Sequence, residues 1–497
     1  MYFFLSAGIG QSLTGIEHAI LKRGKVFNSC GMQYKIVTLN HNPDYKKNLD
    51  IHGISESNFL NIYDTFQNII FKQFKENNLK NFLSEIHGEI RVEDNTNHFD
   101  VKIYVNEVYY CYIHFHENEQ ISYVNYFDGE RIKFKREIYT ENGWLSRIIY
   151  LDKNTPKFLH YLDFKRNVVI EECFTEEKSI SCILLKHFDK KIIFYNKNDF
   201  TKYWLDFIFS MYEKAVVYSD KNKLYNDVLV DMENKKFKLI SVFHSVHVSN
   251  PKQIENGKLN SNYQKVINHK DQFDGFIVST ENQKHDLQLR FGTDIKIWVI
   301  PPSYAEVEAI EKNNHEDFTV ISVGRYYVEK RLHHIIEAIE LLKEKYPDIQ
   351  LNLYGFGDSR DKFAYEKKIR AYVIEHQLEN NVHFKGYSQN ILSHLRESSV
   401  SVMTSTIEGF CIGILDSLSV GTPVVAYDIK YGPAEILQHD YSGYLVEEEN
   451  INELSAAIEK CYLNTEMREN SVNSIEKFSF ETLKKKWINH LLELSNV

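Results

Sequence analysis

The chain lacks what would place it among disulfide-stapled, zinc-binding or membrane-spanning proteins. Its 497 residues hold six cysteines, Cys30, Cys111, Cys173, Cys182, Cys411 and Cys461, scattered without a C-x-x-C pair. That pattern excludes a disulfide framework and a zinc site, and it suits a reducing compartment. No run reaches the ~18 apolar residues that a membrane span requires. The opening MYFFLSAGIG is apolar but short, with no basic segment and no cleavage site, so it is not read as a secretory signal. Positive charge is also in deficit: 59 Lys and Arg stand against 69 Asp and Glu, a net charge of -10. The molecule as a whole is not drawn to a polyanion, so any polyanionic partner must be held by a local basic patch. There is no long low-complexity tract. The expected location is the cytoplasm, with peripheral docking at the inner face of the membrane left open.

What is present is a globular composition, 43% hydrophobic and 26% charged, on a chain long enough for two or three domains. Tyr2–Leu5 reads as a strand, followed by the glycine-bearing loop Gly8 to Gly15. Helical periodicity then runs from Ile16 to Phe27, and a second strand from Lys35 to Leu39. This is a βαβ opening, the start of a doubly wound sheet. From about 81 to 195 the pattern changes to short strands rich in Tyr, Phe, Ile and His, separated by turns such as Phe127-Asp128-Gly129. We read an antiparallel β insertion there. The α/β pattern returns at 215–218, 239–243 and 275–278, pauses at Pro301-Pro302, and repeats at 320–323, 349–354, 400–403 and 424–427.

The expected fold class is therefore α/β, with two Rossmann-like domains facing a cleft and an antiparallel β insertion in the first. The expected boundaries are 1–80 with 196–300 for the N-terminal domain and 81–195 for the insertion. The C-terminal domain is expected over 301–478, and 479–497 as a helix packing back on the N-terminal domain.

Two stretches carry chemistry. Gly324 to Arg331 directly follows a strand, so Arg325 and Lys330 emerge on a loop at a strand end. An Arg fork beside a Lys point charge suits a diphosphate, although a solvated basic loop has the same composition. The second stretch, STIEGFCIGILDSL, puts Glu408 in a loop and Asp416 eight residues on, about one turn inside a helix that stops at Gly421. Gly409 and Gly413 allow close backbone approach. The helix N-terminus at Ile412 and Gly413 offers free N–H groups and the positive end of a dipole. A diphosphate there, with Glu408 at one end and Asp416 at the other, describes a ligand of sugar, diphosphate and nucleoside.

At these residues the segment from about 317 to 447 resembles the retaining glycosyltransferases of family 4 with the GT-B architecture. Their E-x7-E motif stands here as Glu408-x7-Asp416. The resemblance implies that Glu408 binds the donor sugar hydroxyls and Asp416, shorter by one methylene than the family Glu, the ribose hydroxyls. It implies that Arg325 and Lys330 neutralise the donor diphosphate. Gly15 matches a glycine near the transferring sugar. His244 matches a histidine near the reacting sugar, implied to orient it or to stabilise the oxocarbenium-like state; His247, three residues on, is the runner-up. Residue type alone would make a strand-end histidine structural.

The insertion and the segment Ala426 to Pro433 resemble the wall teichoic acid α-glycosyltransferases of Gram-positive bacteria. The implied activity is transfer of glucose, or N-acetylglucosamine, from a UDP-sugar to poly(glycerol phosphate) or poly(ribitol phosphate). The resemblance implies UDP-glucose as the favoured donor, with no metal and no prosthetic group, and a homo-oligomer, a trimer, built through the insertion. A sister group with the same insertion glycosylates serine-rich adhesins, and GIGQSLTGIEHA has something of that group. A non-catalytic GT-B glycan-binding chaperone is the third reading. Within the insertion, Arg131, Lys133 and Lys135 read as one strand face able to track a phosphate polymer, or as a solvated sheet face. His114 and His116 read as surface residues on one strand.

Overall fold

The computed structural model describes residues 1–68, 74–94, 99–233, 235–307 and 317–495. The chain divides into two compact units, Met1–Glu17 with Gln33–Lys238, and His18–Met32 with Leu239–Val497.

In the first unit Tyr2–Leu5 lies between Ala215–Ser219 and Tyr34–Thr38, and Phe59–Asn61 pairs beyond the latter, all parallel. Ten antiparallel strands follow in sequence order from Ile90–Asp94 to Lys190–Phe194. A helix, Leu79–Ser84, precedes the first of these strands. Leu79, Phe82 and Leu83 of the helix Leu79–Ser84 pack on Val101, Ile103, Cys111 and Ile113. The far half of the sheet is held by Ile62–Gln67. The Tyr63 ring stacks on Tyr161 at 4.4 Å, and the Gln67 amide donates to the carbonyls of Ser146 and Leu162 at 2.7 Å each.

Two readings of the insertion are corrected. The strand meant to carry three cations is Lys133–Tyr139, and Arg131 precedes it in a turn at φ 61, so the three do not share a strand face. Lys135 is also neutralised by Glu137 at 3.0 Å. His116 lies past the end of Val108–Phe115 and is largely buried, with its Nδ1 3.9 Å from Asp44, so it is not a surface residue. His114 bonds Asp100 at 2.6 Å.

In the second unit Gly275–Val278 pairs in parallel with Phe237–Val242 and Ile297–Val299. A six-stranded parallel sheet follows. Its order is Val382–Gly386, Gln350–Tyr354, Thr319–Val323, Val400–Met403, Val424–Tyr427, Gly443–Val446. The central strands are short apolar runs because helices cover both faces of a parallel sheet. One such helix, Leu332–Lys343, turns Leu332, Ile335, Ile336, Ile339 and Leu342 inward at helical spacing. The terminal helix Phe480–Ser495 meets Phe27 through Trp487, at 5.4 Å between rings, and Trp298 donates to Glu493 at 2.7 Å.

Candidate active site

The strand order decides where a ligand goes. Chain order runs outward from Thr319–Val323 in one direction, then returns to its other side with Val400–Met403. In an open α/β sheet, ligands bind beyond the carboxyl ends of the strands at such a reversal. The loops leaving these two neighbouring strands are Gly324 to Arg331 and Thr404 to Cys411. They are the two stretches singled out in the sequence.

The loops are tied to each other. Thr404 donates its hydroxyl to the carbonyls of Lys330 and Arg331 at 2.8 and 3.1 Å, and the Thr406 N–H donates to the backbone carbonyl of Glu329 at 2.9 Å. Lys330 Nζ then meets Glu408 Oε1 at 2.5 Å, with the side chains 23% and 17% exposed. Burial disfavours the ammonium, but the Glu408 carboxylate outweighs it and holds the Lys330 pKa above the ordinary lysine value. Arg325 is exposed, with its guanidinium 4.2 Å over the Tyr327 ring. The hydroxyl of Ser405, in the same loop, is buried without a partner.

The helix is Ile412–Ser419. Cys411 precedes it at φ 74 and no side chain caps its first turn; the Ile414 N–H bonds the Cys411 carbonyl at 3.0 Å, which leaves the N–H groups of Ile412 and Gly413 for a ligand. It ends as its glycine requires. Gly421 sits at φ 80, its N–H bonds the Leu418 carbonyl, and the Thr422 N–H bonds that of Ser417 at 2.9 Å, a Schellman arrangement. The two glycines of the motif differ. A Cβ on Gly413 would meet nothing within 4 Å, so that side of the helix is open. A Cβ on Gly409 would lie 2.2 Å from the His244 carbonyl oxygen. Gly409 is needed for backbone packing against the His244 loop. Gly432, at φ 111, packs instead against the Phe410 backbone, where a Cβ would lie 2.2 Å from the Phe410 carbonyl oxygen.

Asp416 is the fifth residue of the helix. Burial pushes its carboxyl up to about 6, with Lys22 opposing and Glu306 adding to the rise. Lys22 and Glu306 pair with each other at 2.7 Å. Burial drives the Cys411 thiol far above its ordinary pKa, which leaves no thiolate nucleophile here.

His244 is half-buried, and its loop is held from behind. The phenol oxygen of Tyr263 accepts the N–H groups of His244 and Ser245 at 2.9 and 3.0 Å, while its ring stacks on Phe243 at 4.2 Å. Gln283 donates to the Ser245 carbonyl at 2.8 Å. His247 is fully buried, and burial lowers its pKa to about 4. It is therefore not placed to touch a ligand, unlike half-buried His244. Tyr263 had no sequence signal, because a lone tyrosine 19 residues downstream has no periodic relation to the histidine. The same holds for Glu435, which accepts the Glu281 and Asn282 N–H groups at 3.0 and 3.1 Å and so anchors the segment after Gly432.

Arg325, Lys330, Glu408, Ile412, Gly413, Asp416 and His244 all lie in the second unit. Gly15 lies in the first, where it opens the helix Gly15–Ser29 with open space at its Cβ position. Among the described residues no group of three or more His, Cys, Asp or Glu is arranged to hold a metal ion. No helix among them is long and apolar enough to cross a membrane.

Residues 304–478 match the glycosyl transferases group 1 family. A poly(glycerol-phosphate) alpha-glucosyltransferase of Bacillus subtilis (strain 168) is 23% identical over 478 residues, covering 92% of this chain and 69% of that protein. A poly(ribitol-phosphate) alpha-N-acetylglucosaminyltransferase of Staphylococcus aureus (strain COL) is 24% identical over 515 residues, covering 96% of each. Among solved structures, the pneumococcal O-GlcNAc transferase GtfA in complex with UDP and GlcNAc superposes with a TM-score of 0.88 at 19% identity, over 100% of this chain and 99% of that one. The chain thus has the GT-B fold with its antiparallel insertion, and its residues 304–478 match the group 1 glycosyl transferases.

Proposed function

We propose that this protein is a retaining hexosyltransferase that moves glucose from UDP-glucose to the glycerol phosphate repeats of wall teichoic acid. UDP-N-acetylglucosamine and poly(ribitol phosphate) are the next donor and acceptor. The observation that carries the reading is the constellation at the strand-order reversal: Arg325, the Lys330–Glu408 pair and the uncapped helix at Ile412 on one pair of adjoining loops. Two relatives named for polyol-phosphate glycosylation, matched over 92% and 96% of this chain, support the acceptor class.

In this reading the diphosphate rests on the N–H groups at Ile412 and Gly413, and Arg325 and Lys330 offset the charge that develops on the departing phosphate. Removing one such donor typically costs ~10²–10³ in rate. Glu408 orients the sugar hydroxyls, Asp416 takes the ribose, and His244 approaches the transferring sugar. The acceptor hydroxyl attacks from the face the nucleotide leaves, and the leaving phosphate oxygen takes its proton. The domain division at 1–80 with 196–300, 81–195, 301–478 and 479–497 belongs to the same proposal, as does a trimer built through the insertion.

The test is a matrix of UDP-glucose and UDP-N-acetylglucosamine against purified poly(glycerol phosphate) and poly(ribitol phosphate), read as UDP release. Acceptor-dependent release with UDP-glucose and poly(glycerol phosphate) is the expected result. Donor binding without release in any combination would sink it. A second reading, O-glycosylation of serine-rich repeats with UDP-N-acetylglucosamine, is favoured by the structural match to GtfA. A mass increase on a Ser/Thr-rich peptide, with none on teichoic acid, would select it. Failure to bind any UDP-sugar by calorimetry would select the non-catalytic reading.

A further inference from the structure

Cys173 and Cys182 stand directly opposite each other on the antiparallel strands Val168–Phe174 and Ile180–His187. Residues opposed in this way have Cα atoms about 4.5 or about 5.5 Å apart, depending on whether they exchange ladder hydrogen bonds. A disulfide spans Cα separations of about 4.4–6.8 Å, so either arrangement admits one without moving the backbone. Opposed residues also project from the same face of a sheet, which turns the two thiols toward one another. Both are free and half-buried, while Cys111, Cys411 and Cys461 are buried. Cys30, the other half-buried thiol, lies just after the helix Gly15–Ser29 and beside the Ser29 hydroxyl at 3.8 Å.

We propose that Cys173 and Cys182 are a modification site: a thiol pair that a peroxide converts reversibly to a cross-strand disulfide, stapling these two strands of the insertion. One thiolate attacks the peroxide O–O bond, becomes a sulfenic acid and releases the first water after protonation. The second thiol attacks the sulfenic sulfur, forms the S–S bond and expels the second water. Two thiols lose two electrons and two protons, and hydrogen peroxide is reduced to two waters. A dithiol reductant reverses the change.

The surroundings set the rate. Burial, then the facing Cys182 thiol and the nearby Glu171 carboxylate, push the Cys173 thiol up to about 12. Glu171 Oε1 lies 3.8 Å from Cys173 Sγ. Little Cys173 thiolate exists near neutrality, so its oxidation accelerates as pH rises.

The full chain is treated with hydrogen peroxide, its free thiols are alkylated, and the digest is mapped by mass under non-reducing conditions. The expected product is a Cys173–Cys182 linked peptide, with alkylated cysteines falling from six to four, restored by dithiothreitol. Cys182→Ser removes the linkage, and Cys30→Ser leaves it intact. Circular dichroism before and after treatment establishes that the oxidised chain is folded. A folded, oxidised protein in which both cysteines are still alkylated overturns the proposal. So does one in which either of them is joined to Cys30.

Discussion

The ammonium of Lys330 and the carboxylate of Glu408 meet at 2.5 Å across 78 residues of sequence. Each is the natural partner of a different part of a nucleotide sugar, the cation for phosphate and the carboxylate for hydroxyls. Held together on adjoining loops, with the two side chains mostly buried, the carboxylate keeps the ammonium charged. Lys330→Met is expected to lower kcat by ~10²–10³, the cost of removing one preorganised cation from a developing negative charge. Because the Lys330 pKa lies above the ordinary 10.5, the stability that the pair contributes is complete below that pH. It is lost only as pH rises through the folded value. A wild-type activity profile that falls between pH 7 and 9 because of Lys330 would contradict this, and comparison with Lys330→Arg checks it.

Asp416 titrates where an assay can see it. Its folded pKa is about 6 against an ordinary 3.8, so the folded state binds more protons than the unfolded state between those values. Asp416 therefore makes the fold less stable as pH rises from about 4 to 6. In the proposed function donor binding has the opposite slope, because the ribose hydroxyls would donate to the ionised carboxylate. UDP affinity measured by calorimetry should rise through pH 6 and level off above pH 7. Asp416→Asn should flatten that profile and remove this slope from a melting-temperature series over the same range.

The two glycines of the motif should separate under substitution. Gly409→Ala forces a Cβ to within 2.2 Å of the His244 carbonyl oxygen, a backbone clash that no side-chain movement relieves. Expected are a melting temperature lower by several degrees and loss of transfer. Gly413→Ala meets nothing within 4 Å. It should leave the melting temperature near wild type while weakening UDP-sugar binding, since the methyl would occupy the open face of the helix N-terminus. Equal effects in both variants would show that Gly413 has no part in the donor site.

Tyr263→Phe removes one oxygen that accepts two backbone N–H groups. Leaving them unpaired costs about 1–3 kcal/mol per fully buried group, and these are only part-buried, so the lower end is expected in denaturant unfolding. The ring stack with Phe243 is retained. Loss of His244 positioning should lower kcat with little change in donor KM. A change in KM alone would reduce Tyr263 to a structural role.

How much was legible in the sequence depended on range. Strands Val400–Met403 and Val424–Tyr427 were readable because a parallel strand buried on both faces is a short apolar run between turns. Phe59–Asn61 and Ile297–Val299 were not, because three residues carry no period. Arg131 was misplaced because alternation places side chains only once the strand has begun, and its chain is still in a turn at φ 61.

The sequence by itself determined the local chemistry: a cationic loop after one strand, an acid in a loop after another, a second acid one turn into an uncapped helix, and a glycine to end it. These follow from dihedral preferences and hydrogen-bond demands that act within a few residues. Tertiary structure alone decided that the two loops adjoin, because that depends on which strands neighbour each other where the sheet reverses its order. It alone paired Lys330 with Glu408, set Gly409 against His244 and placed the Tyr263 oxygen beneath two N–H groups. Such contacts join residues far apart in the chain, and their register is fixed by packing of whole elements, for which no local pattern exists.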